Sequence, residues 1–168
     1  MTSPLDARPV VVAVAGPNGA GKTTFFGAHL QPAGLRFVNA DEIGRELSVG
    51  VYEAAAAAGH IRQALLDQRE SFVFETVFSD PVGDKLAFLK RAEKAGYTVV
   101  LCFVGIDGRF PRTMKNLAEA IRELPHVLVF DNGDLARPFR KVAVYERGKI
   151  VEKVPPLPRW MPRQRPRR

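Results

Sequence analysis

A six-residue apolar run, Val10 to Ala15 (VVVAVA), breaks directly into Gly16-Pro17-Asn18-Gly19-Ala20-Gly21-Lys22-Thr23. A short β-branched run without polar alternation is the pattern of a strand buried on both faces, as in a parallel sheet. The eight residues after it match G-x-x-x-x-G-K-[ST] in full, and a helix pattern starts at about Lys22. Strand, glycine-rich loop and helix in that order define a phosphate-binding loop. Glycines at 16, 19 and 21 let the backbone curl so that successive N–H groups face one anion. The helix start adds its positive end at the same spot. Lys22 is placed to reach the β- and γ-phosphates and the Thr23 hydroxyl to ligate Mg²⁺. Pro17, Asn18, Ala20 and Thr24 complete the set of nucleotide-contacting positions.

The rest of the chain alternates strands with helices. Leu35 to Asn39 reads as a short strand. Glu42 to Leu47 and Tyr52 to Arg69 read as helices, the second favoured by alanines at 54–58. Phe72-Val73-Phe74 is a buried strand with Glu75 just past it. Val82, Leu86, Leu89 and Ala92 recur at helical spacing and stop at Gly96. Tyr97 to Ile106 is the longest strand candidate; a helix over Met114, Leu117, Ala118 and Ile121 is halted by Pro125; Val127 to Phe130 is a further strand. Val142 to Tyr145 and Lys149 to Glu152 flank Arg147-Gly148, a hairpin signal. This order gives a three-layer α/β phosphate-loop fold with a mostly parallel sheet and a C-terminal β-hairpin. Ligands of such sheets bind beyond the carboxyl ends of the strands, where Asn18, Asp41, Glu75, Asp107 and Asp131 fall.

Triphosphate binding alone does not separate motors, GTPases and kinases. Asp41, after the second strand, is positioned to take a proton from an incoming hydroxyl or to act at the metal; its alternative reading is the N-cap of the next helix. Glu75 is placed to contact Mg²⁺ through water or to bind a substrate hydroxyl, the alternative being an ordinary strand-end acid. No separate apolar run ends in Asp-Glu, as in hydrolytic motors. Phe130-Asp131-Asn132-Gly133 is no guanine-specificity motif.

Three stretches together, Ala15 to Thr24, Phe37-Val38-Asn39-Ala40-Asp41-Glu42-Ile43 and Ser71-Phe72-Val73-Phe74-Glu75-Thr76, resemble the zeta-toxin family of kinases. Ala95-Gly96-Tyr97, Arg109-Phe110-Pro111-Arg112-Thr113 with Asn116-Leu117, and Phe130-Asp131-Asn132 extend the resemblance from about Val10 to Pro158. It implies a five-stranded parallel core, with the hairpin as an addition. It also implies ATP- or GTP-dependent phosphorylation of a hydroxyl on a nucleotide sugar, UDP-N-acetylglucosamine being the family's substrate. Lys22 would then lie on the phosphates, Asp41 would be the base, and Glu75 with Thr76 would meet the substrate. An antitoxin protein is the partner such a resemblance raises, though no residue specifies one. The sequence departs from the family between the fourth strand and Arg109. There the family carries an arginine-bearing lid, whereas Ile106-Asp107-Gly108 leads straight on. Arg109 and Arg112 remain to neutralise charge on a transferring phosphoryl group, against a reading as a solvated helix start.

The formal charge of +7 is unevenly placed. Five of the 25 basic residues are arginines within 159–168, which holds no acid, and the remainder carries 20 basic residues against 18 acidic. One domain over 1–158 and a Pro/Arg-rich tail over 159–168 follow. Prolines at 155, 156, 158, 162 and 166 exclude helix or strand there. The tail reads as solvated, the alternative being contact with a polyanion. Nucleic-acid binding would lean on it alone, with only Trp160 as an aromatic. There is no apolar run of the ~20 residues a bilayer requires and no secretory signal pattern at the start, so cytoplasm is the expected location. Cys102, the one cysteine, sits in an apolar strand and reads as an inert core thiol. His29, His60 and His126 stand singly. The expected function is a Mg²⁺-dependent small-molecule kinase. A nucleotide-binding module without turnover and a nucleic-acid-associated ATPase are the alternatives.

Overall fold

The computed structural model describes residues 3–163. Its strands are β1 (Val10–Ala15), β2 (Arg36–Val38), β3 (Phe72–Thr76), β4 (Thr98–Gly105), β5 (His126–Asp131), β6 (Arg140–Glu146) and β7 (Lys149–Lys153). They form one sheet in the order β2-β3-β1-β4-β5-β6-β7. The first five run parallel, and β6 and β7 add antiparallel at one edge. Every residue of β1 is buried, as a central strand covered on both faces demands. The expected hairpin is present: Arg147 and Gly148 both take positive φ, 46° and 81°, the geometry of a tight turn between twisted strands.

The helices are α1 (Lys22–Phe25), α2 (Ala40–Leu47), α3 (Val51–Asp67), α4 (Asp84–Lys94) and α5 (Pro111–Glu123). Alternation along the strands sends Val11, Ala13, Phe74, Leu101 and Val129 to one face, where α3, α4 and α5 bury Leu65, Leu89 and Leu117 against them. Val12, Val14, Val73, Val100 and Cys102 face the other way, onto Phe25 and Leu30. Three layers result. Burial pushes the Cys102 thiol up to about 12, so it is protonated and inert, as its place in an apolar strand implies.

Three boundaries differ from the sequence reading. α1 is a single α-helical turn that widens into a π-helical turn over Phe26–Leu30. Phe25 then stacks on His29 and tilts against Phe130, both at 4.7 Å, while Phe26 stacks on Phe37 at 4.1 Å. Val82 is exposed outside α4. Trp160 and Met161, in the segment expected as tail, pack on the larger core cluster. The Trp160 ring lies 5.8 Å from that of Phe103 and flat against Gly105, where a Cβ would stand 2.3 Å from it. No helix or strand occurs among residues 154–163, as the prolines require; the rest of the expected tail, residues 164–168, lies outside the described residues.

Candidate nucleotide site

Parallel register fixes the site. Ala15 at the end of β1 pairs with Thr76 of β3, and Val14 with Glu75, so the acid stands beside the first loop residue. The Gly16 N–H donates to the Thr76 carbonyl at 3.2 Å. Gly16 has φ 153°, and a Cβ there would meet the Val104 carbonyl oxygen at 2.1 Å, a collision that only glycine avoids. Gly21 has φ 90°, with Asn132 Nδ2 3.0 Å from the position of a Cβ. The loop meets the β4 backbone at the first point and the Asn132 side chain at the second.

Lys22 is buried, 6% exposed. Its Nζ donates to the carbonyls of Gly16 and Pro17 at 2.8 and 3.1 Å and lies 3.9 Å from Glu75 Oε1. Burial lowers its pKa, and the charges of Glu75 and Asp41 oppose that shift. The ammonium is thus held by the loop's own oxygens, with two carboxylates close by. Glu75 Oε2 accepts from Thr23 Oγ1 at 3.0 Å and from Asn39 Nδ2 at 3.1 Å. Three elements (α1, the end of β2 and β3) therefore meet at one carboxylate.

Asn39, not Asp41, caps α2: its Oδ1 accepts the Asp41 N–H at 2.8 Å. Both residues have the short polar side chain a cap needs, and the backbone at Asn39 is the one that is still extended, φ −128° and ψ 119°. The cap reading of Asp41 is thereby removed. Asp41 sits exposed in the first turn of α2, and among the described residues its carboxylate has no hydrogen-bond partner. Thr76 Oγ1 accepts the Phe78 N–H at 2.9 Å, so its hydroxyl shapes the turn after β3.

The expected arginines lie apart from this cluster. Arg109 and Arg112 are exposed and belong to no ion pair among the described residues. Arg112 nevertheless lines a cleft of about 300 Å³ with Pro17, Asn18, Val77 and Ser79, between the loop and the start of α5. Thr24 is exposed in α1.

Three polar residues that sequence reasoning gave no role support the site. Asn132 Nδ2 donates to the Ala20 carbonyl at 2.9 Å and its Oδ1 accepts from the Phe139 N–H, tying β5 to the loop. Asn116 Nδ2 donates to the carbonyls of Phe78 and Asp80 at 2.9 and 3.0 Å, and Thr113 Oγ1 donates to that of Val77 at 3.2 Å. These last three bonds hold the loop after β3, in which Phe78 is buried with φ 61°. The signal was available: Thr113 and Asn116 share the apolar stripe of α5 with Leu117 and Ala120, and a polar residue on a core-facing stripe needs a partner.

The oxygens of Thr23 and Glu75 are the hard donors Mg²⁺ takes. Among the described residues no three His, Cys, Asp or Glu side chains converge on one point. No helix is long and apolar enough to cross a membrane.

No family model and no curated protein matches the chain. Among solved structures it is similar to a chain of the AvrRxo1-ORF1:-ORF2 complex crystallised with ATP, with TM-score 0.63 and 17% identity over 86% of this chain and 60% of that one. A chain of the same complex with sulphate ions gives TM-score 0.61 and 16% identity over 86% and 61%. A chain of the PezAT chromosomal toxin–antitoxin system of Streptococcus pneumoniae gives 0.55 and 13% over 75% and 68%. The likeness is one of fold alone. The chain spans about three-fifths of the AvrRxo1 complex chains it matches.

Proposed function

We propose that the chain is an ATP-dependent small-molecule kinase that transfers a γ-phosphate to a hydroxyl of a nucleotide sugar such as UDP-N-acetylglucosamine, with GTP the alternative donor. The observation that carries this reading is the convergence of Lys22, Thr23 and Glu75 at the mouth of the loop, with Asp41 beside them. Gly16 to Thr23 hold the triphosphate through backbone N–H groups, and Thr24 closes the set from the first turn of α1. Lys22 exchanges the Gly16 and Pro17 carbonyls for phosphate oxygens, a small movement for a side chain already in the loop. Asp41, whose carboxylate has no hydrogen-bond partner among the described residues, accepts the proton of the attacking hydroxyl as its oxygen bonds to the γ-phosphorus and the β–γ bridging oxygen leaves with ADP. Thr23 and Glu75 would hold Mg²⁺, whose charge offsets that of the phosphates. Thr76 acts through the turn that sets Glu75, and Arg112, facing the cleft beside Asn18, is the nearer arginine to the acceptor.

The ATP of the AvrRxo1 complex and the toxin–antitoxin pairing of PezAT support the donor and an antitoxin partner by analogy of fold. A cytoplasmic location is the one that fits the two proposed nucleotide substrates. The exposure of Arg109, on a short loop, and of Arg112, in the first turn of α5, favours a second reading, a nucleotide-binding module with little turnover. Mass spectrometry of a nucleotide-sugar mixture incubated with protein, ATP and Mg²⁺ separates the two. One species gaining a single phosphate, lost in Lys22→Ala, is the expected result; consumption of ATP without any phosphorylated sugar removes the acceptor assignment.

A further inference from the structure

A planar trans peptide points its C=O and its N–H in opposite directions. Asn132, just past β5, takes hold of one such peptide in the loop, its Nδ2 donating to the Ala20 carbonyl at 2.9 Å. The Gly21 N–H of the same peptide is thereby turned away from Asn132, the direction in which the phosphate-loop reading puts the anion. The grip is close, since a Cβ at Gly21 would stand 3.0 Å from Asn132 Nδ2. Whatever fixes Asn132 therefore fixes a donor of the cradle.

Two of the residues that fix Asn132 are held in turn by Trp160. The Asn132 N–H donates to the Gly105 carbonyl at 2.9 Å, and the Trp160 ring lies against Gly105 with no room for a Cβ between them. Asp131, the preceding residue, accepts the Trp160 Nε1–H at Oδ1, 3.0 Å away. The same oxygen accepts the Gly133 N–H at 3.2 Å, so Asp131 closes a turn around Asn132. The segment carrying Trp160 is fastened by Arg140, which donates to the carbonyls of Val154 and Pro156 at 3.2 and 2.7 Å. Arg140 also stands 3.9 Å from Asp131. The one polar atom of the Trp160 side chain is spent on Asp131, so its reach to the loop is through Asn132.

We propose that Trp160, placed by composition in a solvated tail, is a positioning residue for the phosphate loop: seated on Gly105 and bonded to Asp131, it sets Asn132 and through it the Ala20–Gly21 peptide. The inference rests on the phosphate-loop reading, and the choice of ligands separates the two. Wild-type chain, Trp160→Phe, Asn132→Ala and the double variant are titrated by calorimetry with ATP and with inorganic tripolyphosphate, each with Mg²⁺, and unfolded in denaturant. Trp160→Phe keeps a ring for Gly105 and Phe103 and loses the donor. Its effect runs through the loop, so it weakens both ligands alike, by about threefold to tenfold, the scale of one ordinary hydrogen bond. Asn132→Ala weakens both at least as much, and in its background Trp160→Phe changes either affinity by less than about twofold, because the two act in one line. Should Asn132→Ala not fold, the matched loss of both ligands in Trp160→Phe decides alone. Lower stability of Trp160→Phe with both affinities unchanged makes Trp160 a packing residue and overturns the proposal. So does a loss confined to ATP, which would make it a nucleoside contact, and so do additive losses in the double variant. In each of these cases tripolyphosphate binding by the wild-type chain leaves the phosphate loop standing. A wild-type chain that binds neither ligand overturns both.

Discussion

The half of the site built on β2 and β3 fixes its charged Lys22 and Glu75 side chains by its own hydrogen bonds, while the two arginines that follow β4 have none among the described residues. On the first side Glu75 accepts from Thr23 and Asn39, and Lys22 is buried against loop carbonyls. On the second, Arg109, in the short connection between β4 and α5, and Arg112, in the first turn of α5, are exposed and enter no ion pair among the described residues. Binding a triphosphate needs fixed backbone donors and one buried cation, and these are built into the sheet. Stabilising a transferring phosphoryl group needs arginines aimed at it, worth ~10³–10⁵ where they are well placed. Nothing here holds them to that task. The difference separates binding from turnover within one site.

The largest break in this comparison comes from Lys22→Ala, which removes the one cation inside the loop. It abolishes transfer and weakens Mg²⁺–ATP binding by ~10²-fold, the cost of one or two charge-assisted hydrogen bonds; calorimetry reads the loss, and circular dichroism shows the fold retained. Asp41→Asn lowers the transfer rate by ~10²–10⁴ with ATP affinity unchanged, because general-base help is lost. Its stability is also unchanged, since Asn39 supplies the cap; a loss of ~1 kcal/mol in denaturant unfolding would show that Asp41 contributes to the cap after all. Smaller again is the contrast between the arginines. Arg112→Ala, beside the loop at the cleft, slows transfer more than Arg109→Ala, and equal effects would deny the cleft its role.

The smallest effect concerns Asp80, in the loop after β3. Burial first, then its hydrogen bond and charge interaction with Asp84, hold its carboxyl above the usual range, while the same hydrogen bond holds Asp84 below it. The folded chain therefore binds the Asp80 proton more readily than the unfolded chain, and stability falls as pH rises from the unfolded value through the raised one. Asp80→Asn keeps a donor for Asp84 and removes that cost. It raises the melting temperature at neutral pH, and the gain shrinks as pH falls through the raised value and is gone below pH ~3, where Asp80 is protonated in both states.

Much of the first half was legible because each part of it is local. A strand, a loop and a helix start are contiguous in Val10 to Thr24, and Glu75 follows three buried residues of its own strand. Asn39 and Asp41 were harder to separate, since two capping residues two positions apart give the same sequence signal. The choice was made by backbone geometry and by the partner Glu75, 36 positions away. Trp160 was hidden for a different reason. A single aromatic among prolines and arginines has no period, and its seat against Gly105 exists only after β4 and β5 are paired. The π-helical turn after α1 has no sequence mark at all.

The separation of binding from turnover is tested most directly by measuring both on one preparation of the 168-residue chain: Mg²⁺–ATP affinity by calorimetry, and single-turnover transfer to UDP-N-acetylglucosamine by rapid quench. The account predicts saturable ATP binding with transfer well below the ~1–100 s⁻¹ of ordinary kinases, slowed further by Arg112→Ala. Transfer within that ordinary range, indifferent to Arg109→Ala and Arg112→Ala, would contradict it.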